Sequence, residues 1–143
     1  MPNFKPGRRK ANATGRNDKE RFIALTYDMM KSAAWRSLGG SAVKVYIELR
    51  SRFNGGNNGE LFLGLSECKL LRLGKDAVNS ALKELAAKGF IEMNVKGEFY
   101  HRRATTWFIT ERPKVKGGIP SNDWRKWVGP YIPEKRKRRI GDD

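Results

Sequence analysis

Lys75, Asp76, Asn79, Ser80 and Lys83 stand within one run, "LGKDAVNSALKELAAKGFIEM" (73–93). At 3.6 residues per turn they share one side of a helix, opposite Val78, Ala81, Leu82 and Leu85. Two ammonium groups, an amide, a hydroxyl and a carboxylate make a surface of hydrogen-bond donors and acceptors at fixed steps. Nothing in that set attacks a bond. Covalent chemistry has little support elsewhere. The chain has one cysteine, Cys68, and one histidine, His101, and no motif places a carboxylate or nucleophile beside the histidine. One of each cannot make a usual zinc site. There is no glycine-rich phosphate loop with its lysine. Neither an enzyme, a cofactor nor a metal is expected. A lone cysteine also closes no internal disulfide.

Charge says more about the partner. The 143 residues carry 30 Lys and Arg against 15 Asp and Glu, a formal net charge of +15. Such a surplus favours a polyanion, and nucleic acid is the commonest. The plain alternative is a soluble basic protein with solvated faces. Most of the excess sits at the ends: +5 over 1–21, +6 over 112–143 and +4 between. Arg8, Arg9, Lys10 and Arg16 make one basic arm, and Lys135, Arg136, Lys137, Arg138 and Arg139 another. Arms of this kind neutralise phosphates and release counterions, or enter a minor groove. Solubility alone is their simpler reading. No apolar run approaches a membrane span, and no apolar stretch follows the basic N-terminus as a secretory signal requires. A cytoplasmic, nucleoid-associated location is expected, with no membrane partner.

The elements that must hold these groups follow from periodicity. Residues 1–20 are polar and basic, too poor in apolar surface to offset ordering entropy, and predict a flexible arm. A helix is expected from Thr26, with Tyr27, Met30 and Ala34 on one face. A second follows Ser41 as N-cap over 42–53, with Ala42, Tyr46, Leu49 and Phe53 inward. "NGGNNG" (54–59) is turn signal, and "ELFLG" (60–64) predicts a short strand. Ser66 opens a further unit through Leu70, Leu71 and Leu73. The helix 75–88 ends at Gly89. Strands at 90–95 and 104–110 then flank a basic loop, a hairpin whose tip offers Lys96, Tyr100, His101, Arg102 and Arg103. Trp35 and Trp107 belong to the core. Trp124 and Trp127 either pack a C-terminal turn onto the body or form a homodimer contact.

The order of these units resembles the winged helix-turn-helix proteins of bacterial prophages and mobile elements, related to phage and plasmid replication-initiator domains. "SAAWRSL", "NNGELFL", "ALKELAAKGFI" and "GEFYHRRATTWFIT" carry the resemblance, which covers about 22–111. It implies an α+β fold: a three-helix core with a short strand and a C-terminal β-hairpin wing, flanked by basic tails. The implied organisation is an arm at 1–20, a domain at 21–111 and a Trp-containing basic extension at 112–143. It further implies that the third helix enters the major groove and the wing grips backbone or minor groove. Lys75, Asp76, Asn79, Ser80 and Lys83 would then face double-stranded DNA, Asn79 suiting adenine and the lysines guanine or phosphate. The chain departs from the family where relatives carry hydroxyls and an arginine: it has Gly74, Ala77 and Ser80. More of the binding energy must then come from the wing and arms. The expected function is a sequence-preferring DNA-binding protein, a transcriptional regulator of a phage or mobile element. The alternatives are a replication-initiation or excision factor, and an interaction module acting on a host protein.

Overall fold

The computed structural model describes residues 20–98 and 103–129. Among these the chain is mixed α+β, with five α-helices and one two-stranded antiparallel hairpin. Thr26 caps α1 (Tyr27–Met30), its hydroxyl accepting from the Met29 N–H. Ser32 Oγ then donates to the Met29 carbonyl at 2.6 Å and accepts from the Trp35 N–H at 3.1 Å. One hydroxyl thus closes α1 and caps α2 (Ala33–Arg36), a competition for backbone partners that serine wins easily. The single helix expected from Thr26 is therefore two short ones, and the helices outnumber the three expected. Tyr27, expected inward, is exposed, and Met29 fills the core instead.

α3 (Gly40–Ser51) starts at Gly39, not at Ser41. The Gly39 N–H donates to Glu84 Oε2 at 3.3 Å, so the helix entry is satisfied from another element. Ala42, Val45, Tyr46 and Leu49 form its buried stripe, joined by Arg50; Phe53 is only half-buried. The strand expected at 60–64 shrinks to one antiparallel bridge, Leu61 to Trp107. α4 (Leu65–Leu70) is entered at Gly64 rather than at Ser66. Glu67, three residues on, accepts from the Gly64 N–H, the carboxylate half of a capping box. Leu70 is exposed, while Cys68 takes the buried position.

α5 (Lys75–Ala87) buries Val78, Ala81 and Leu85 against α3, with Leu82 half-buried, as its stripe dictates. Gly89 follows at φ +85°, the left-handed residue that lets the chain turn straight into a strand. β1 (Ile91–Val95) pairs with β2 (Thr106–Ile109), Glu92 facing Phe108 and Met93 facing Trp107, with an irregularity between Met93 and Val95. Asn58 ties the hairpin down. Its amide donates to the carbonyls of Ile109, Arg112 and Pro113, and its oxygen accepts from the Ile109 N–H.

An aromatic cluster closes the core. Trp35, Tyr46 and Phe90 meet edge to face at centroid separations of 5.6, 5.7 and 5.8 Å. Trp124, from a 3₁₀ turn at Asp123–Lys126, lies over Phe90 at 6.4 Å with planes 6° apart and is buried. A side chain at Gly89 would collide with Asp123, 2.5 Å from its carbonyl carbon, so the glycine also admits this turn. The hydrophobic body thus continues beyond Glu111 and includes Trp124.

Candidate nucleic-acid interface

α5 has two unlike sides. Val78, Ala81 and Leu85 are buried, while Lys75, Asp76, Asn79, Ser80 and Lys83 are all exposed. The five residues singled out from the sequence therefore share one open face. Gly74 caps the helix with backbone alone, so no side chain covers its first turn. Asp76 sits in that turn, where a carboxylate suits the helix dipole. It makes no hydrogen bond or ion pair with the described residues.

The turn before α5 adds two cations that periodicity alone missed. Lys69, late in α4, is exposed, and so is Arg72. Arg72 has φ +57°, a left-handed conformation uncommon outside glycine. The Arg72 N–H donates to the Lys69 carbonyl and the Leu73 N–H to the Cys68 carbonyl, so the turn is tightly wound. Lys44 of α3 reaches across to the Leu71 carbonyl and fixes the turn to the core. The only sequence signal for Arg72 was a basic residue two positions before Gly74. Its backbone state is set by the tight link between two helices.

Three residues separate the end of α5 from the hairpin. Beyond the irregularity at Met93–Val95, Glu98 and Arg103 exchange backbone hydrogen bonds at 3.0 and 3.1 Å. Lys96 and Arg103 are exposed along this outer part. Gly97 permits it, because a Cβ there would lie 2.4 Å from the Arg103 carbonyl oxygen. Tyr100, His101 and Arg102 lie outside the described residues, as do Arg8, Arg9, Lys10, Arg16 and Lys135 to Arg139.

Other charges serve the fold. Lys88 at the C-terminal end of α5 is buried, its Nζ donating to the Ser37 carbonyl at 3.0 Å and lying over the Trp127 ring at 5.3 Å. Arg50 Nε donates to Glu111 Oε1 at 2.8 Å, and the Tyr46 hydroxyl donates to the same oxygen at 2.6 Å. Burial, then the adjacent Glu111 carboxylate, push the Tyr46 phenol well above the usual tyrosine range. This triad locks α3 to the segment just after β2. Glu67 is held below the usual carboxylate range, first by its own backbone N–H and further by Arg52.

Among the described residues no group of three or more His, Cys, Asp or Glu could hold a metal ion. No helix among them is long and apolar enough to cross a membrane. What the open face offers is exchangeable hydrogen bonds and positive charge on a rigid helix. No family model, curated protein or solved structure matches this chain.

Proposed function

We propose that the chain is a winged helix-turn-helix protein that binds double-stranded DNA with a sequence preference. The element order supports the fold: α3, the Leu61 bridge, α4, a tight turn, α5 and the β1–β2 hairpin. In this reading α5 lies in the major groove. Asn79 pairs with adenine, and Lys75 and Lys83 with guanine or phosphate. Lys69 and Arg72 hold the phosphates at the helix entrance, and Lys96 and Arg103 hold them beside the groove. The biological role that suits such a chain is a regulator carried by a phage or other mobile element.

The observation that carries the reading is the two-sidedness of α5. One face is buried through Val78, Ala81 and Leu85, and the other presents exposed amide, ammonium and carboxylate groups. The test is selection of bound duplexes from a random library, followed by affinities for the enriched and a scrambled duplex. Specific sites of this kind exceed random DNA by about a thousandfold or more. A library that yields no enriched sequence, with binding that ignores salt, rules the reading out. The exposed, unpaired Asp76 favours one second reading, a host protein docked on α5. In that case Asp76→Asn abolishes capture of the partner and leaves DNA affinity unchanged.

A further inference from the structure

Asp76 is the one acid among the residues on the open face of α5, and it is left without a partner. Lys69, Arg72 and Lys75 stand before it in the chain and are exposed. Among the described residues it makes no ion pair or hydrogen bond with any of them. The helix dipole does not explain the choice of position. Lys75, a cation, precedes it in the same turn, where the dipole disfavours positive charge. The approach is also clear. Gly74 brings no side chain, and a Cβ placed there would meet nothing within 4 Å, so a surface can come flush against this turn.

A carboxylate only accepts hydrogen bonds. That restricts what it can meet in a major groove. Phosphate oxygens repel it. Guanine shows two acceptors there, N7 and O6, and thymine an acceptor and a methyl group. Adenine sets its N6 donor beside the N7 acceptor, a match for the amide of Asn79 and not for a carboxylate. Cytosine shows its N4 amino donor alone. Spacing then decides where that cytosine lies. Asp76 and Asn79 are three residues apart, about 4.5 Å along the helix axis. Base pairs follow one another at about 3.4 Å. The two side chains therefore meet pairs about one or two steps apart.

We infer that Asp76 sets sequence choice by accepting from the N4 amino group of a cytosine beside the adenine that Asn79 reads. The inference rests on the proposed placement of α5 in the major groove. It gives the acid a selective duty. Discrimination comes as much from penalising the wrong partner as from favouring the right one. Asp76 lowers affinity for every duplex that offers it no donor, random DNA included. Lys69, Arg72 and Lys75 offset that loss through phosphates, which carry no sequence information. A strongly basic protein can thus keep a repelling acid at the point where its helix meets the bases.

Selection of duplexes from a random library by the full chain, followed by affinities for single-pair variants of the enriched site, tests it. That site should hold a C·G pair within about two steps of an A·T pair. Replacing the C·G pair by any other should weaken wild-type binding at least about fivefold, the low end for one good base contact. The same replacements should leave Asp76→Ala nearly unaffected. Asp76 is exposed and unpaired, so its replacement spares the fold. Asp76→Ala should also bind scrambled DNA at least as tightly as wild type, because a repelling charge is gone. Asp76→Asn keeps an acceptor and gains a donor, so it should tolerate an A·T pair where wild type requires C·G. An enriched site whose C·G replacements cost wild type and Asp76→Ala the same overturns the inference and leaves DNA reading intact. So does an Asp76→Asn that rejects the A·T pair as wild type does. A library that yields no enriched sequence removes the reading itself, and the inference with it.

Discussion

The exposure of Asn79 and Lys83 was legible in the sequence because a helix sorts side chains by angle, and Val78, Ala81 and Leu85 fix which side is inside. Replacing either polar residue with Ala should cost about 1–3 kcal/mol on the preferred site and little on random DNA. Competition binding on the two duplexes measures both, and equal losses would remove the base-reading role. Arg72 was not legible as anything special, since backbone state follows from a tertiary link. Its left-handed conformation costs on the order of 1 kcal/mol. Arg72→Gly should therefore raise the melting temperature while weakening DNA binding, a pairing of opposite signs that a purely structural arginine cannot give. Glu111 was equally hidden, because Arg50 lies 61 residues away and no local pattern joins them. Glu111→Ala leaves a buried guanidinium uncompensated and should destabilise by roughly 3–5 kcal/mol in denaturant titration. Tyr46→Phe should cost about 1 kcal/mol at neutral pH. The neutral phenol is the form the folded state favours. Its contribution is intact below the unfolded value near about pH 10 and fades as pH rises through the higher folded one. The gap between wild type and Tyr46→Phe should narrow in alkali, and a gap that widens there would contradict the assigned direction.

At the level of elements, long periodic stretches were readable and short ones were not. α3 and α5 follow from their stripes, whereas α1 and α2 are divided by one serine hydroxyl that competes with the helix for backbone partners. Both misplaced caps share a cause. Gly39 and Gly64 replace the serines expected because carboxylates satisfy the entry N–H groups, Glu84 from another helix and Glu67 from the first turn of α4 itself. The strand at 60–64 failed because only Leu61 meets a neighbour. Gly89 has two duties, a positive φ and room for the turn that carries Trp124. Gly89→Ala should cost roughly 1–3 kcal/mol for the backbone alone, and more once Asp123 is displaced. The visible sign would be a red shift of tryptophan emission in the native state as Trp124 leaves Phe90. A mutant with unchanged emission and stability would show that the turn adjusts without loss.

For the whole molecule, the described body and the charged ends separate cleanly in the sequence. Residues 1–19 and 130–143 hold 11 of the 30 Lys and Arg, and among the described residues the buried core runs from Met29 to Trp124. A chain of residues 20–129 should fold and keep its sequence preference. Its binding should depend less steeply on salt than that of the full chain, by about 0.9 in the log–log slope for each phosphate that the ends no longer neutralise. Identical slopes would take the ends off the DNA. A chain cut at Glu111 should instead melt lower, since Phe90 loses Trp124.

The triad at Glu111 has a consequence in time. Arg50 is made 61 residues before the carboxylate it needs. At ribosomal rates of roughly 5–20 residues per second, that is an interval of about 3–12 s. During it the inner face of α3 lacks both its ionic partner and the hairpin that covers it. The nascent chain must therefore wait, open to chaperones and proteases, until the hairpin and Glu111 have been made.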